Sequence, residues 1–529
     1  MCLFFFLSCP PPMKEEYIRK KNTSKQSAIK MRRTVCSLAG ISGMSVYTPP
    51  CRVALKEWCN WTGNDWKKVS NVVGDSFRVP SNNENAYTMA ASAVLRLILN
   101  YEVDPSRVGF LGLGTESSSD NSAGAVIVRG MVDKALKELG MPALSRHCEV
   151  PEFKHACLGG VYALKGAARY AEVDGGDDKL AIVVASDIAE YALGSTGEQT
   201  QGAGSVAMLV QKTPRLLELN TKAAGSASDY RGPDFRKPYR RHFIKEYGST
   251  AENGKIPDFP VFSGPYSTLV YLDEVTAAVE NMLSRLNQEP ADYYDSVSAL
   301  FFHRPYHMMP VQAMSFLYTR GLARSTAETH KIFFEELCGK AKVDSSAVRA
   351  ELDKVPNYFE AIDEGKEPKD AFTMTNKVAK VLRSEKVFAD FLGSKMSLGS
   401  TTMANFGNLY TASLPCWLAA GCEDAYSRKI DITGKPMVMI GYGSGDASEA
   451  IPITPVKGWE EAAAKINLSE ALGNSINLTE EQYKGLHTGS LKDDFAADKR
   501  QKEFVVDRIG TRNEAAFQDI GIEYYRFVK

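Results

Sequence analysis

From residue 37 onward the apolar and polar positions follow two alternating patterns. Short, almost unbroken apolar runs bounded by polar or turn residues predict buried strands at 37–47, 108–115, 180–186, 204–210, 297–302 and 436–441. Between them, apolar and small residues recur at i, i+3 and i+4, which predicts helices at 86–101, from near 123, from Cys157 through Tyr170, and at 268–286. Pro49-Pro50 closes the first strand, and Asp120 or Ser122 would cap the helix that starts near Ala123. A further small-residue helix opens at 405–413.

Other stretches are less regular. Residues 213–265 are more polar, with 230–243 rich in Arg, Tyr and Pro, and read as a loop-dominated insertion. Residues 324–398 are charged and helical, with 363–368 as the loop, and a solvated helix face accounts for that charge. Strands alternating with helices imply an α/β protein with a mostly parallel sheet covered on both faces. Reacting groups in such sheets collect where strands end. The strand-turn-helix order of the first half recurs at 436–445, which makes a duplicated α/β unit the expected architecture.

Residues 1–35 stand apart. The apolar start, Leu3 to Leu7, lacks a preceding positive charge and is broken by Pro10-Pro11-Pro12, and the basic segment that follows has no acid from Arg19 to Arg33. An organelle-targeting extension, a disordered tail, and an upstream start codon with Met31 as the true start all fit. The expected organisation is an extension at 1–35, an N-terminal half at 36–212 and a C-terminal half at 213–529.

Composition narrows the function classes. A 44% hydrophobic, 24% charged chain of 529 residues is an ordinary globular protein large enough for more than one core. A net charge of −1 gives no electrostatic case for nucleic acid or an acidic membrane, so small-molecule chemistry is the default. Ten cysteines without a C-x-x-C pair point to reduced thiols in a cytoplasmic compartment, with no metal site. No run is long enough for a membrane-spanning helix.

Three strand-end positions then offer complementary chemistry. Cys157 stands where a strand-like approach turns into a helix, and unpaired N–H groups with the helix dipole predict a lowered thiol pKa. Glu116 ends the 108–115 run and His303 ends the 297–302 run. A thiolate attacks a carbonyl carbon, a carboxylate takes a proton, and an imidazole donates one or holds an oxyanion. Each residue also has an ordinary structural reading: a small buried thiol, a solvated cap, a satisfied core histidine. Spacing alone reaches only thiol-based acyl chemistry.

Local contexts carry the reading further. Gly114-Thr115-Glu116-Ser117 with Asp120, His155-Ala156-Cys157, Ser186-Asp187-Ile188-Ala189-Glu190-Tyr191, Thr200-Gln201-Gly202-Ala203-Gly204, Asp234-Phe235-Arg236-Lys237-Pro238, His303-Arg304-Pro305-Tyr306, Gly407-Asn408-Leu409-Tyr410 and Tyr442-Gly443-Ser444-Gly445 occur in that order. Together they resemble the signatures of the hydroxymethylglutaryl-CoA (HMG-CoA) synthase family, from about residue 37 to the closing Tyr524-Tyr525-Arg526-Phe527. The resemblance implies a thiolase-like fold, with two α/β halves forming a five-layer αβαβα core with mixed sheets, assembled as a homodimer. It implies that Cys157 takes an acetyl group from acetyl-CoA, Glu116 removes a proton from the acetyl methyl group, and His303 polarises the ketone of acetoacetyl-CoA. Asp120, Asp187 and Asp234 would tune the site and Tyr191 would line it. Asn408, with Tyr410 of the same motif, would bind the acetoacetyl moiety, Ser444 would lie near the thioester carbonyl, and Thr200 and Ser267 would lie along the CoA passage. No metal or organic cofactor is expected.

One departure bears on the substrate. Many CoA-using members carry Lys five and nine residues after the active-site His, where this chain has Met308 and Gln312. The family's polyketide β-branching branch, which takes substrates from acyl carrier protein, is the alternative that this departure raises. Arg304 and Lys237 are the cations placed to substitute.

Overall fold

The computed structural model describes residues 38–118, 123–176, 178–232, 234–237, 259–491, 494 and 496–529. Ten strands carry the architecture: β1 Gly40–Tyr47, β2 Val108–Gly114, β3 Glu152–Phe153, β4 Leu180–Ala189, β5 Gly202–Gln211, β6 Leu217–Leu219, β7 Gly225–Ser228, β8 Ala299–Phe302, β9 Met437–Gly443 and β10 Ala447–Pro455. Six helices pack against them: α1 Ala86–Asn100, α2 Gly124–Glu138, α3 Gly159–Arg169, α4 Gly264–Leu286, α5 Met308–Arg324 and α6 Ser413–Ser427. The predicted strands and helices of the first half are found within three residues of their expected bounds. Their apolar runs are buried end to end, as in β2 and β4.

The strands run in the order β8-β9-β10-β6-β1-β5-β4-β2-β3, with β7 beside β10. The sheet is mixed rather than mostly parallel. β2 lies parallel to β3 and β4, and β8 parallel to β9, but β5 is antiparallel to both β1 and β4, and β10 to β9. β5 runs against both its neighbours, and its pairing with β1 is a long-range contact that local periodicity does not encode. β6, inside the stretch read as a loop-dominated insertion, bonds to β1 on one side and β10 on the other. That short strand links the two halves into one hydrogen-bonded sheet.

α1 covers β1, β4 and β5 from outside, with α2 against it, while α4 covers β7, β9 and β10, with α5 against it. α3 and α6 lie between the lobes. α3 packs on β2 and β4, and α6 touches β8 and β9 as well as β1 and β5. A Cβ on Gly441 of β9 would meet Leu158 and Val161 at 2.7 and 3.0 Å, so the start of α3 is pressed against the second lobe too. Helix, sheet, helix, sheet and helix make five layers. The small face of α3, Ala163, Ala167 and Ala168, is fully buried there.

Two elements differ from expectation in the second half. The helix expected from 405 begins at Ser413, after a 3-10 turn at Tyr410–Ala412. The turn after β9 leads into an antiparallel strand, β10, rather than a helix. Five helices fill the charged region between Glu328 and Lys395. No described helix is long and apolar enough to cross a membrane.

Candidate active site

Gly114 ends β2 where α3 begins. A Cβ on Gly114 would lie 2.5 Å from Cα and N of Gly160, and one on Gly160 would lie 2.7 Å from the Thr411 carbonyl oxygen. Bare backbone alone lets β2, α3 and the 408–411 segment meet this closely. Past Gly114 the chain wraps around the carboxylate of Asp187, which is fully buried. Its Oδ1 accepts hydrogen bonds from the Thr115 hydroxyl (2.8 Å), Glu116 N–H (2.8 Å), Ser117 N–H (3.0 Å) and the Ser117 hydroxyl (2.8 Å). Its Oδ2 accepts from Thr411 N–H (2.9 Å) and the Thr411 hydroxyl (2.5 Å). Burial raises the Asp187 pKa while these bonds pull it down. β4 runs on to Ala189, so Asp187 lies within the strand rather than at its end. It fixes the backbone that carries Glu116.

Cys157 precedes Leu158, the residue that caps α3, and is 8% exposed. Its thiol pKa is not lowered. Burial raises it well above the usual value, and the charges of Glu116, Asp187 and Asp234 add to that, with the residue's own N–H opposing. The partial charge of a helix start acts alone on an exposed cysteine, whereas here desolvation and three carboxylates outweigh it. Tyr191, Phe235, Phe262 and Tyr410 close an aromatic cage around the sulfur. Phe235 stands 5.9 Å from Tyr191 and 5.7 Å from Tyr410, ring to ring, and Phe262 is 5.7 Å from Tyr191. Ala156, Phe235 and Tyr410 all hold positive φ, at 40°, 28° and 46°. Each such residue costs about 1–3 kcal/mol, so the surrounding packing must impose the conformation.

A cavity of about 320 Å³ opens onto the sulfur. Cys157 and His303 line it together with Tyr191, Thr200, Ser267, Asn408, Tyr410 and Ser444. The structure therefore brings eight of the residues singled out in the sequence to one space. Glu116 does not border the cavity; it stands behind Cys157, near enough for its charge to raise both the Cys157 thiol and the Tyr410 phenol. Asp234 lies beneath the wall, accepting from Ser267 at 2.5 Å and Tyr442 at 2.9 Å. Asp120 lies outside the described residues. Phe235, Phe262 and Thr411 were not singled out beforehand; only Phe235, beside Asp234, was part of a recognised motif.

His303 is 1% exposed, and burial lowers its pKa to about 3, so the imidazole is neutral at physiological pH. Its backbone is tied down, N–H donating to Ile440 (2.7 Å) and carbonyl accepting from Tyr271 (3.0 Å). Its ring stacks on Tyr442 at 6.4 Å, and its Nδ1 has no hydrogen-bond partner among the described residues. A neutral ring with a free nitrogen in a mostly apolar cavity can bind a carbonyl or hydroxyl oxygen.

Met309 and Gln312 border the outer cavity; Met308 does not, and no Lys or Arg does among the described residues. Arg304 is turned away from it, donating to the Ser400 hydroxyl (3.0 Å), contacting His307 Nδ1 (3.0 Å) and lying over Trp417. Lys237 does not border the cavity either. No group of three or more His, Cys, Asp or Glu among the described residues is arranged to hold a metal ion.

Comparison with known proteins identifies the family. Residues 36–214 match the family model "Hydroxymethylglutaryl-coenzyme A synthase N terminal", and residues 255–505 match its C-terminal counterpart. A hydroxymethylglutaryl-CoA synthase of Haloferax volcanii is 24% identical over 455 residues, covering 85% of this chain and 91% of that protein. A solved MvaS in complex with 3-hydroxy-3-methylglutaryl coenzyme A superposes with a TM-score of 0.70 at 23% identity, over 93% of this chain and all of the other. The curacin-pathway HMG synthase in complex with holo donor-ACP gives 0.66 at 20% identity, with the same coverage. Both share the thiolase-like fold, and with the family models matched across both halves, this chain belongs to the hydroxymethylglutaryl-CoA synthase family.

Proposed function

We propose that this chain condenses acetyl-CoA with acetoacetyl-CoA to HMG-CoA through an acetyl-cysteine intermediate, as an acyltransferase of the mevalonate type. The observation that carries the reading is the convergence of Cys157 and His303 on one cavity, with Glu116 behind the sulfur. Cys157 Sγ attacks the donor thioester carbonyl; the C–S bond to CoA breaks, and the thiol proton leaves with CoA. Glu116 then removes a proton from the enzyme-bound acetyl methyl group. That step needs donors at the thioester oxygen, because the methyl pKa lies far above that of a carboxyl group. The backbone N–H of Cys157 and the Ser444 turn would supply them. The new carbanion attacks the acceptor ketone, whose oxygen the ring N–H of neutral His303 holds and polarises, and the resulting alkoxide takes up the proton that Glu116 removed, restoring the carboxylate. Water hydrolyses the enzyme thioester and releases the product.

The reading calls for no metal or organic cofactor, since N–H groups and imidazole do the polarising. The seven described cysteines are all free thiols, which supports a reducing, cytoplasmic compartment, and a homodimer is the assembly proposed. Mixing the two substrates should release CoA, detected with a thiol reagent, and Cys157→Ala should abolish release. Wild-type protein inert at millimolar substrate, or a Cys157→Ala variant that still turns over, would overturn the reading.

A second reading keeps the chemistry but presents the acceptor on an acyl carrier protein. Met308 and Gln312, with no Lys or Arg on the described cavity lining, favour it. Turnover of acetoacetyl-CoA compared with an acetoacetyl-loaded carrier protein decides between them, and faster turnover of the CoA ester refutes the second.

A further inference from the structure

Behind the cavity stands a carboxyl group that the chemistry above does not use. Asp446 closes the turn between β9 and β10 and is buried. Its Oδ1 accepts from the Tyr442 hydroxyl at 3.0 Å and from the Gly445 N–H. The same hydroxyl lies 2.9 Å from Oδ2 of Asp234, and Oδ1 of Asp234 accepts from the Ser267 hydroxyl at 2.5 Å. The Tyr442 hydroxyl thus stands between the two carboxyls within hydrogen-bond distance of both, and its single hydrogen can go to only one of them. The other carboxyl can bond the hydroxyl oxygen only by donating a hydrogen of its own, so the two are not both ionised.

Every element packed around Asp446 contributes ionisable groups. The segment before Asp234 supplies Asp229 and Arg231, α4 supplies Tyr266, Asp273 and Glu274, and β9 supplies Tyr442. Arg231 is the cation nearby, yet its contacts of 2.6, 3.3 and 3.4 Å go to Asp273, Asp229 and Glu274, and it stands 3.9 Å from Asp446. Burial first, and the Asp234 charge second, push the Asp446 pKa to about 9.

The branches of this network end on the cavity. Ser267, Tyr442 and Ser444 line it, Phe235 follows Asp234 in the chain, and the Tyr442 ring stands 6.4 Å from that of His303, centre to centre. We propose that Asp446 is a positioning residue for the condensation: its carboxyl shares one proton with Asp234, and the pair ties Tyr442, the Ser444 turn and Ser267 into one wall that holds His303. The inference rests on the function proposed above. Its consequence is that the pair carries one negative charge rather than two beside Cys157, whose thiol already feels Asp234.

Two substitutions separate the proton from the volume. Asp446→Ala removes the donor and should lower kcat about 100-fold, with a smaller change in KM, as misplacement of a held group does. Asp446→Asn keeps an N–H donor beside the Tyr442 hydroxyl and should recover at least about tenfold of that loss. Wild-type kcat should fall as pH rises through about 9, where the second carboxyl ionises, and Asp446→Asn should lack that fall. Thermal unfolding gives a readout independent of catalysis: the wild-type midpoint should drop across the same pH range more steeply than that of Asp446→Asn. Equal impairment of the two variants, or an alkaline fall and an unfolding profile unchanged in Asp446→Asn, overturns the inference. Wild-type protein without CoA release overturns the proposed function instead, while the unfolding comparison still decides the proton sharing.

Discussion

Replacing Asp187 with Asn changes one atom at the most heavily bonded group of the site. Asp187 collects six hydrogen bonds, four on Oδ1 and two on Oδ2. An amide placed at Oδ1 would face the N–H groups of Glu116 and Ser117, and neither can turn around. Placed at Oδ2 it faces one backbone donor, Thr411 N–H, and a hydroxyl that can rotate, so this orientation costs less. The loss is one hydrogen bond to a charged acceptor, about 1.5–3 kcal/mol, with a buried N–H left unsatisfied at about 1–3 kcal/mol. Relief of a buried charge offsets part of it, since burial is what raises the Asp187 pKa. The net destabilisation should be about 2–3 kcal/mol. The remaining Oδ1 bonds lose their charge, and Glu116 is no longer held as firmly. If about half of that cost is felt at Glu116, kcat falls roughly tenfold. Thermal unfolding and CoA release measure the two effects on the same preparation. Thr411→Val removes the second hydroxyl partner, and the double variant should be less impaired than the sum of the singles. An Asp187→Asn protein with wild-type melting and kcat, or strictly additive effects with Thr411→Val, would refute the reasoning.

Three further expectations concern packing, pH and the cavity mouth. Gly160→Ala puts a methyl group 2.7 Å from the Thr411 carbonyl oxygen and 2.9 Å from Ala185 Cβ, so it should destabilise by about 1–3 kcal/mol in denaturant melts, and a neutral result would deny the close approach of α3. Stability should fall as pH rises from 6.5 to 9. Glu274 and Glu503 are raised to about 7 and Asp446 to about 9, so their stabilisation is complete below the unfolded carboxyl pKa and is lost as pH rises through those folded values. His303 and His307, lowered to about 3 and about 4, drop out above their ordinary value of 6.5 because they are neutral in both states there. Calorimetry showing a rising midpoint over this range would contradict the assignment. Gln312→Lys combined with Met308→Lys should lower KM for acetyl-CoA about threefold at low salt, a solvent-screened fraction of a charge-assisted contact. A KM unchanged at every ionic strength would remove the argument from the missing lysines.

What could be read in the sequence and what could not divides along a physical line. β2, β4, β5 and α1 were legible because burial on all sides writes itself as an apolar run or a helical stripe, whatever the partners are. β10 was not, because Ser448 and Glu449 interrupt it. Glu449 is buried in that strand only because Lys165 of α3 meets it at 2.7 Å, and the partner stands 284 residues away. β6 was hidden for a related reason, being three residues long and useful only as a bridge between β1 and β10. Cys157, His303 and, of the cavity lining, Tyr191, Thr200, Asn408, Tyr410 and Ser444 were legible through their motifs, while Asp446 and the Phe262 side of the aromatic cage depend on contacts between distant segments.

The thiol pKa shows the same line at the scale of one atom. The strand-to-helix setting of Cys157 is local and visible, and it predicts a lowered value. Burial of the sulfur reverses the sign, and the carboxylates of Glu116, Asp187 and Asp234, reaching it from three other segments, add to the reversal. The reversal alters how the proposed chemistry must begin. The resting site holds a protonated thiol beside a neutral imidazole, with its negative charge on carboxylates instead of sulfur. Proton loss from Cys157 must then accompany attack on the donor, because the departing CoA thiolate takes up a proton as the cysteine gives one up. Once the sulfur is acetylated, that thiol no longer titrates. Glu116 can then act on the methyl group without a neighbouring thiolate to oppose it. A cysteine that is poor as a free nucleophile and a carboxylate that is effective as a base are, on this geometry, two results of the same cluster of charge.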